Sequence, residues 1–451
     1  MAALHAAKAL MSDGWQSDIR LSISGSRITS VEVGVAAQPE DERHAVVVPG
    51  VPNLHSHAFQ RGMAGLAERR GPSTDSFWSW RDVMYRFALT MTPDHVEAVA
   101  AQLYVEMLEV GFTRVGEFHY LHHDSDGHPY ADPAEMATRI AAAAAETGLG
   151  LTLLPVFYAH SGFGGIEPTP GQRRFVHDLD GYARLIDASR RAIAPLEAAV
   201  LGIAPHSLRA ATVEEIAAII PLAQQGPLHI HIAEQVKEVD DCQAWCGQRP
   251  VEKLLDALPV DERWCLIHAT HMTEAETADM ARSGAIAGLC PVTEANLGDG
   301  TFPAARFLAA GGRLGVGSDS NVQIGVAAEL RQLEYSQRLQ HKSRNVLALP
   351  DQSNGRALFD HALEGGSRAL GNSSAGLCLG ASADLVSLRS DHPALAGRQD
   401  DEILDSWIFS GGNALVDCVW VGGKKQVANG RHRHRDKIAA RFGDVMRGLL
   451  S

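Results

Sequence analysis

Short apolar runs alternate with longer segments in which apolar residues recur every three or four positions, and the alternation continues from residue 46 to about residue 340. The short runs predict strands over 46–57, 112–120, 150–158, 199–208, 227–235, 264–271, 285–292 and 313–321. Helical spacing is clearest over 92–110, where Thr92 supplies a cap and Pro93 the first turn, and over the alanine-rich 132–147. It recurs over 178–194, 212–224, 273–283 and 326–340. Eight strands alternating with helices predict an α/β fold, a (β/α)8 TIM-type barrel whose interior is filled by side chains and whose chemistry sits at the C-terminal strand ends.

The flanks follow another rhythm. Residues 15–49 and about 381–432 hold short β-like pieces, DIRLSISGSRITSVEVG, ADLVSLR and VDCVWVGGKKQVANG, separated by turn-forming Gly, Ser and Asn. They predict a small β-sandwich formed by both chain ends. The expected division is 1–48 for its N-terminal part, 49–380 for the barrel, and 381–451 for its C-terminal part plus an amphipathic helix packed on the barrel.

Composition narrows the class. A chain of 451 residues with 45% hydrophobic content can bury a large core, and every apolar run is broken by charge, Gly or Pro too early to span a membrane. The N-terminus lacks the basic start and long apolar stretch of a secretion signal, which predicts a cytoplasmic protein. Six cysteines without framework spacing read as packed or surface thiols. A net charge of −14 disfavours a general nucleic-acid or anionic-membrane surface but leaves room for a locally basic pocket. The basic cluster 431–435 reads as a solvated face.

Four metal-type side chains fall where barrel strands one, five and eight should end. His55 and His57, two apart in an extended strand, point to the same side. His231 closes the run PLHIHIAE and Asp319 follows RLGVGSDSN. Three nitrogens and one oxygen suit Zn²⁺ with a position left for water, although Fe²⁺ or another divalent ion fits the same donors.

Together with His231-Ile232-Ala233-Glu234, His268 and Gly317-Ser318-Asp319, these residues resemble the amidohydrolase superfamily in its deaminase branch, over nearly the whole chain. The stretches NLHSHAFQRGMAG, DSFWSWRDVMY, GEFHYLHH, APHSLRA, CPVTEANLGDG and GSDSNVQIG resemble the formimidoylglutamate deiminase family within it. The resemblance implies hydrolytic deimination of N-formimino-L-glutamate in histidine degradation, by a homodimer with one Zn²⁺ per chain. It implies that His55, His57, His231 and Asp319 hold the metal, that Glu234 carries protons, and that His268, rather than the nearby His271, orients the nucleophile. Asp319 then also accepts a hydrogen bond from the attacking water.

A small dianionic substrate calls for guanidinium groups, so Arg209 and then Arg81 are the candidates for its carboxylates. Gln60, Tyr120 and His206 match the family's binding positions. Binuclear amidohydrolases commonly bridge two ions through a strand-four lysine; no lysine lies between Ala9 and Val236, which predicts a single ion. Trp78, Trp80 and the glycine-rich 160–174 are candidate covers over the site, whereas Glu294 and Asn296 are expected only to shape the strand-seven loop. Deamination of guanine or another amidine uses the same chemistry but lacks the need for Arg81 and Arg209. A catalytically silent scaffold has no chemical reason to hold Glu234 and His268 beside a complete metal set.

Overall fold

The computed structural model describes residues 2–69, 77–372 and 375–451. Its centre is a ring of parallel strands: Val51–Ser56, Phe112–His119, Gly150–Phe157, a fourth in two pieces (Val200–Leu201 and Ala204–Pro205), Leu228–Ile232, Trp264–His268, Ile286–Leu289 and Arg313–Val316. Pairing runs through strands one to four and again through five to eight. Parallel bridges from Ile203 to Leu228 and from Ser56 to Asp319 close the ring. Helices cover the outside, among them Pro93–Glu109, Glu135–Thr147, Leu179–Ile193, Val236–Cys246, Glu274–Ser283 and Val326–His341. Thr92 caps the first of these by accepting from the His95 N–H at 3.3 Å.

Three local departures from the expected pattern have identifiable causes. The apolar run 46–57 is two strands, because Glu42–Pro49 joins the sheet at the chain ends and only Val51–Ser56 enters the barrel. Gly50 is the pivot: a Cβ there would lie 2.2 Å from the Thr113 side chain. The helix expected over 212–224 is α-helical only over Val213–Ile219 and tightens to a 3₁₀ turn at Ile220–Ala223, where Pro221 removes a donor. The helix Asn354–Ala369 has no counterpart in the sequence reading; its paired glycines disguise it.

That helix forms the barrel floor. Thr152 Oγ1 donates to the Leu370 carbonyl at 2.9 Å, and the His229 ring bonds the Ala369 carbonyl at 2.7 Å. His229 and His231 share one side of strand five, so one anchors the floor while the other reaches the opposite mouth.

Both chain ends build one eight-stranded sheet. Glu42–Pro49 pairs in parallel with Ala2–Met11 and antiparallel with Leu385–Leu388, joining the N- and C-terminal strands. Its separate core includes Leu4, Ile19, Leu21, Val47, Leu385 and Trp420. The strand Ala2–Met11 is rich in helix-forming alanine, and burial between two partners overrides that preference. The terminal helix Arg435–Leu450 rests on Pro93–Glu109 with Ile438 buried, and Arg441 reaches Glu97 on that helix at 3.5 Å and Glu146 on Glu135–Thr147 at 2.5 Å. The basic cluster before it is not simply a solvated face: His432 is buried against the Thr147 carbonyl and Arg435 pairs with Glu109.

Floor packing makes a direct prediction. A Cβ on Gly365 would lie 1.9 Å from the Leu314 carbonyl oxygen, a backbone atom that cannot swing away. Gly365→Ala should cost about 1–3 kcal/mol or more and lower the thermal midpoint by roughly 2–4 °C per kcal/mol lost. An unchanged midpoint would show that the floor helix docks less tightly.

Candidate active site

Strands one and eight meet at the mouth of the ring. The Ser318 and Asp319 N–H groups both donate to the His55 carbonyl, at 3.1 and 2.9 Å, and the His57 N–H donates to the Asp319 carbonyl at 3.0 Å. Asn321 locks the turn by donating from its amide to the His57 and Asp319 carbonyls. Asp319, His268 and Ala233 all have left-handed backbones, φ 46°, 69° and 49°, at the ends of strands eight, six and five. Non-glycine residues hold such angles at a cost of about 1–3 kcal/mol each, so this mouth is locally strained.

His55, His57, His231 and Asp319 are buried, and their ligand atoms all lie within 4.8 Å of one another. Nε2 of His55 stands 3.2 Å from Nε2 of His57 and 3.0 Å from Nε2 of His231. Asp319 Oδ1 is 3.1 Å from His57 and 3.5 Å from His55. Nδ1 of His57 faces the Phe118 carbonyl at 2.9 Å, and Nδ1 of His231 faces the His206 carbonyl at 3.1 Å. A carbonyl only accepts, so each Nδ1 carries the hydrogen and each Nε2 turns a lone pair inward. Burial pulls the His55 pKa down to about 3, which keeps its ring neutral. Imidazole nitrogens converging beside a carboxylate have the donor chemistry of a divalent cation site.

Next to these donors, Glu234 Oε1 lies 3.7 Å and Asp319 Oδ2 lies 3.8 Å from Nε2 of His268. Burial raises Glu234 above the ordinary carboxylate range. The Glu234 backbone is held from behind by Glu238, whose carboxylate accepts from the Ala233 and Glu234 N–H groups at 3.2 Å each. His271, the other histidine after strand six, is not part of the pocket lining; its carbonyl accepts from Arg249.

A pocket opens over this group. Gln60, Arg81, Tyr120, His206 and Arg209 all line it, together with His57, His231, Glu234, His268 and Asp319. Gln60 donates to the Tyr120 hydroxyl at 2.7 Å. Arg81 stands over the Tyr85 ring at 5.5 Å, and Arg209 Nε lies 3.8 Å from the buried Glu238 carboxylate. Trp80 lines the pocket, whereas the Trp78 side chain lies outside the described residues. The glycine-rich segment packs by stacking Phe163 on Trp245, with ring centroids 5.7 Å apart.

Several groups escaped the sequence reading. Tyr158 and Phe175 line the pocket from segments with no motif of their own, and Tyr85, at the end of the stretch DSFWSWRDVMY, lines it beside Arg81. Glu238 and Asp299 flank Glu234, and Gln235 donates to Asp299. Glu294, expected only to shape its loop, meets the His268 ring at 3.2 Å. Asn296 keeps to the periphery, donating to Glu68. The usable signal for Glu238 was its place in the first turn after the HIAE motif, where it reaches back to two strand-end amides.

Comparison with known proteins follows the same outline. The family described as "Amidohydrolase family" matches residues 46–425, and "Formimidoylglutamate deiminase HutF, N-terminal domain" matches residues 1–45. The chain is 51% identical over 455 residues to a formimidoylglutamate deiminase of Pseudomonas aeruginosa, covering all of both proteins. An 8-oxoguanine deaminase of the same organism is 28% identical, over 88% of this chain and 85% of that protein. Among solved structures, an amidohydrolase from Brucella melitensis superposes with a TM-score of 0.98 at 62% identity over the full length of both chains. An adenosine deaminase from Xanthomonas campestris with bound zinc shares the fold, with a TM-score of 0.82 at 20% identity over 100% and 98% of the two chains.

The donor geometry predicts that cation binding depends on His231. Changes to residues that merely support a ligand weaken metal binding by about 10–100-fold, so His231→Ala should lower zinc affinity by more than about tenfold, read by competition with a fluorescent chelator. Undiminished affinity would place the metal elsewhere.

Proposed function

The chain belongs to the amidohydrolase family, and from that premise we propose that it hydrolyses N-formimino-L-glutamate to N-formyl-L-glutamate and ammonia, a step of histidine degradation. The observation that carries this reading is one pocket lined by three of the four clustered metal-type donors, by the pair Glu234 and His268, and by two guanidinium groups. A pocket with both Arg81 and Arg209 suits a substrate bearing two carboxylates.

His55, His57, His231 and Asp319 would hold one Zn²⁺; three nitrogens and one oxygen are donors zinc accepts, and strand four has no lysine to bridge a second ion. Bound there, the metal supplies Lewis acidity that makes water a nucleophile near neutral pH. The chain's own groups do the rest. Asp319 and His268 face the attacking water and fix its direction. Water adds to the formimino carbon, and Glu234 takes its proton and passes it to the imino nitrogen. Collapse of the tetrahedral carbon breaks the C–N bond while Glu234 carries the second proton to the nitrogen that leaves as ammonia. His268 stabilises the charge on the tetrahedral oxygen as it develops. Arg209 and Arg81 bind carboxylates, with Gln60, Tyr120 and His206 completing the wall.

The same reading places the enzyme in the cytoplasm, where a reducing environment suits six free cysteines, and makes it a homodimer, in line with its family. No helix among the described residues is long and apolar enough to cross a membrane.

Ammonia release measured with formiminoglutamate and, separately, with guanine tests the substrate; turnover of guanine but not of formiminoglutamate overturns the assignment. Glu234→Gln should fold and bind metal yet lose about 10²–10⁴-fold in kcat, and full activity would remove its proton-carrying role. Arg209→Met forfeits a charged hydrogen bond of about 1.5–3 kcal/mol and should lower kcat/KM for formiminoglutamate by roughly 10–100-fold. An unchanged kcat/KM would move carboxylate recognition elsewhere.

A further inference from the structure

We propose that Glu294 is a positioning residue: it fixes the tautomer and ring orientation of His268, so that Nε2 of that histidine faces Glu234 and Asp319. The inference deepens the deiminase reading and rests on it only for the reaction His268 serves.

Glu294 lies on the short helix Pro291–Leu297 after strand seven and is buried, 5% exposed. It does not line the substrate pocket, so it acts through its neighbour. Its Oε1 accepts the Cys290 N–H at 2.8 Å and lies 3.2 Å from Nδ1 of His268. A carboxylate can only accept, and the hydrogen of that second contact must therefore sit on Nδ1. The opposite edge of the ring then presents Nε2 to Glu234 Oε1 at 3.7 Å and to Asp319 Oδ2 at 3.8 Å.

The backbone does not determine this orientation by itself. His268 and Ala269 form a left-handed turn, φ 69° and 46°, with the Ala269 N–H held by the Ile232 carbonyl at 3.0 Å. Stacking on His231, with centroids 5.6 Å apart and planes 11° from parallel, sets the plane of the His268 ring. A half-turn about the Cβ–Cγ bond returns the ring to that plane and keeps the stack while exchanging its nitrogen and carbon positions. The bond to Glu294 distinguishes the two poses.

The same helix also anchors the other side of the reaction space. Thr293 Oγ1 donates to the Ser318 carbonyl at 3.2 Å and shares a hydrogen bond with Ser320 Oγ at 3.0 Å, on either side of Asp319 in the chain. Adjacent residues of one helix thus register His268 against Asp319.

The test compares Glu294→Ala with Glu294→Gln in the full-length, metal-loaded enzyme. The alanine variant should lose about 10–100-fold in kcat, the usual effect of removing an outer-shell partner, with metal content unchanged and KM within about threefold. Glutamine, whose amide oxygen still accepts from Nδ1–H, should restore most of the rate. Wild-type kcat in the alanine variant, a loss confined to KM or metal content, or no rescue by glutamine overturns the proposal. Histidine ¹⁵N NMR of the unaltered protein, with His268→Gln used to assign the ring, reads the tautomer without any substrate. It should show Nδ1 of His268 protonated; an unprotonated Nδ1 overturns the proposal even if the variants fail to fold or formiminoglutamate is not turned over.

Discussion

Three imidazole lone pairs and a carboxylate are turned toward one small volume, and the surrounding structure exists in large part to keep them there. Such a set of converging donors has the chemistry of a divalent cation site. The arrangement depends on ring closure, because Asp319 arrives on strand eight and meets His55 and His57 on strand one through paired backbone bonds. The His57 and His231 rings are set by carbonyls at the ends of strands two and four. Barrel closure and donor convergence are therefore one constraint, and the floor helix stabilises the opposite end of the same ring.

Charge is layered outward from that centre. The donors lie beside Glu234 and His268, and the wall of the same pocket carries Arg81 and Arg209. Glu238 links the layers: one buried carboxylate holds the backbone of Glu234 and faces the guanidinium of Arg209. A protein with a net charge of −14 still gathers two guanidinium groups in one pocket.

Much of this was legible in the sequence because the informative residues follow strand geometry. His55 and His57 are two apart at the end of an apolar run, and the glycine-rich stretch before Asp319 marks the eighth strand. Other features depend on tertiary packing that no local pattern encodes. Ala2–Met11 has helix-forming composition yet is held as a strand between two partners. The glycines of Asn354–Ala369 look like breakers until Leu314 is seen to need the room. Tyr158 carries no motif, and Glu294 takes its meaning from where a short helix lands beside His268.

The most direct measurement of the central claim is anomalous diffraction from crystals of the zinc-loaded protein, collected above and below the zinc edge. One peak per chain is predicted, about 2.0–2.2 Å from Nε2 of His55, His57 and His231 and from a carboxylate oxygen of Asp319. A peak away from these side chains, or a second equally strong peak beside the first, would contradict the account.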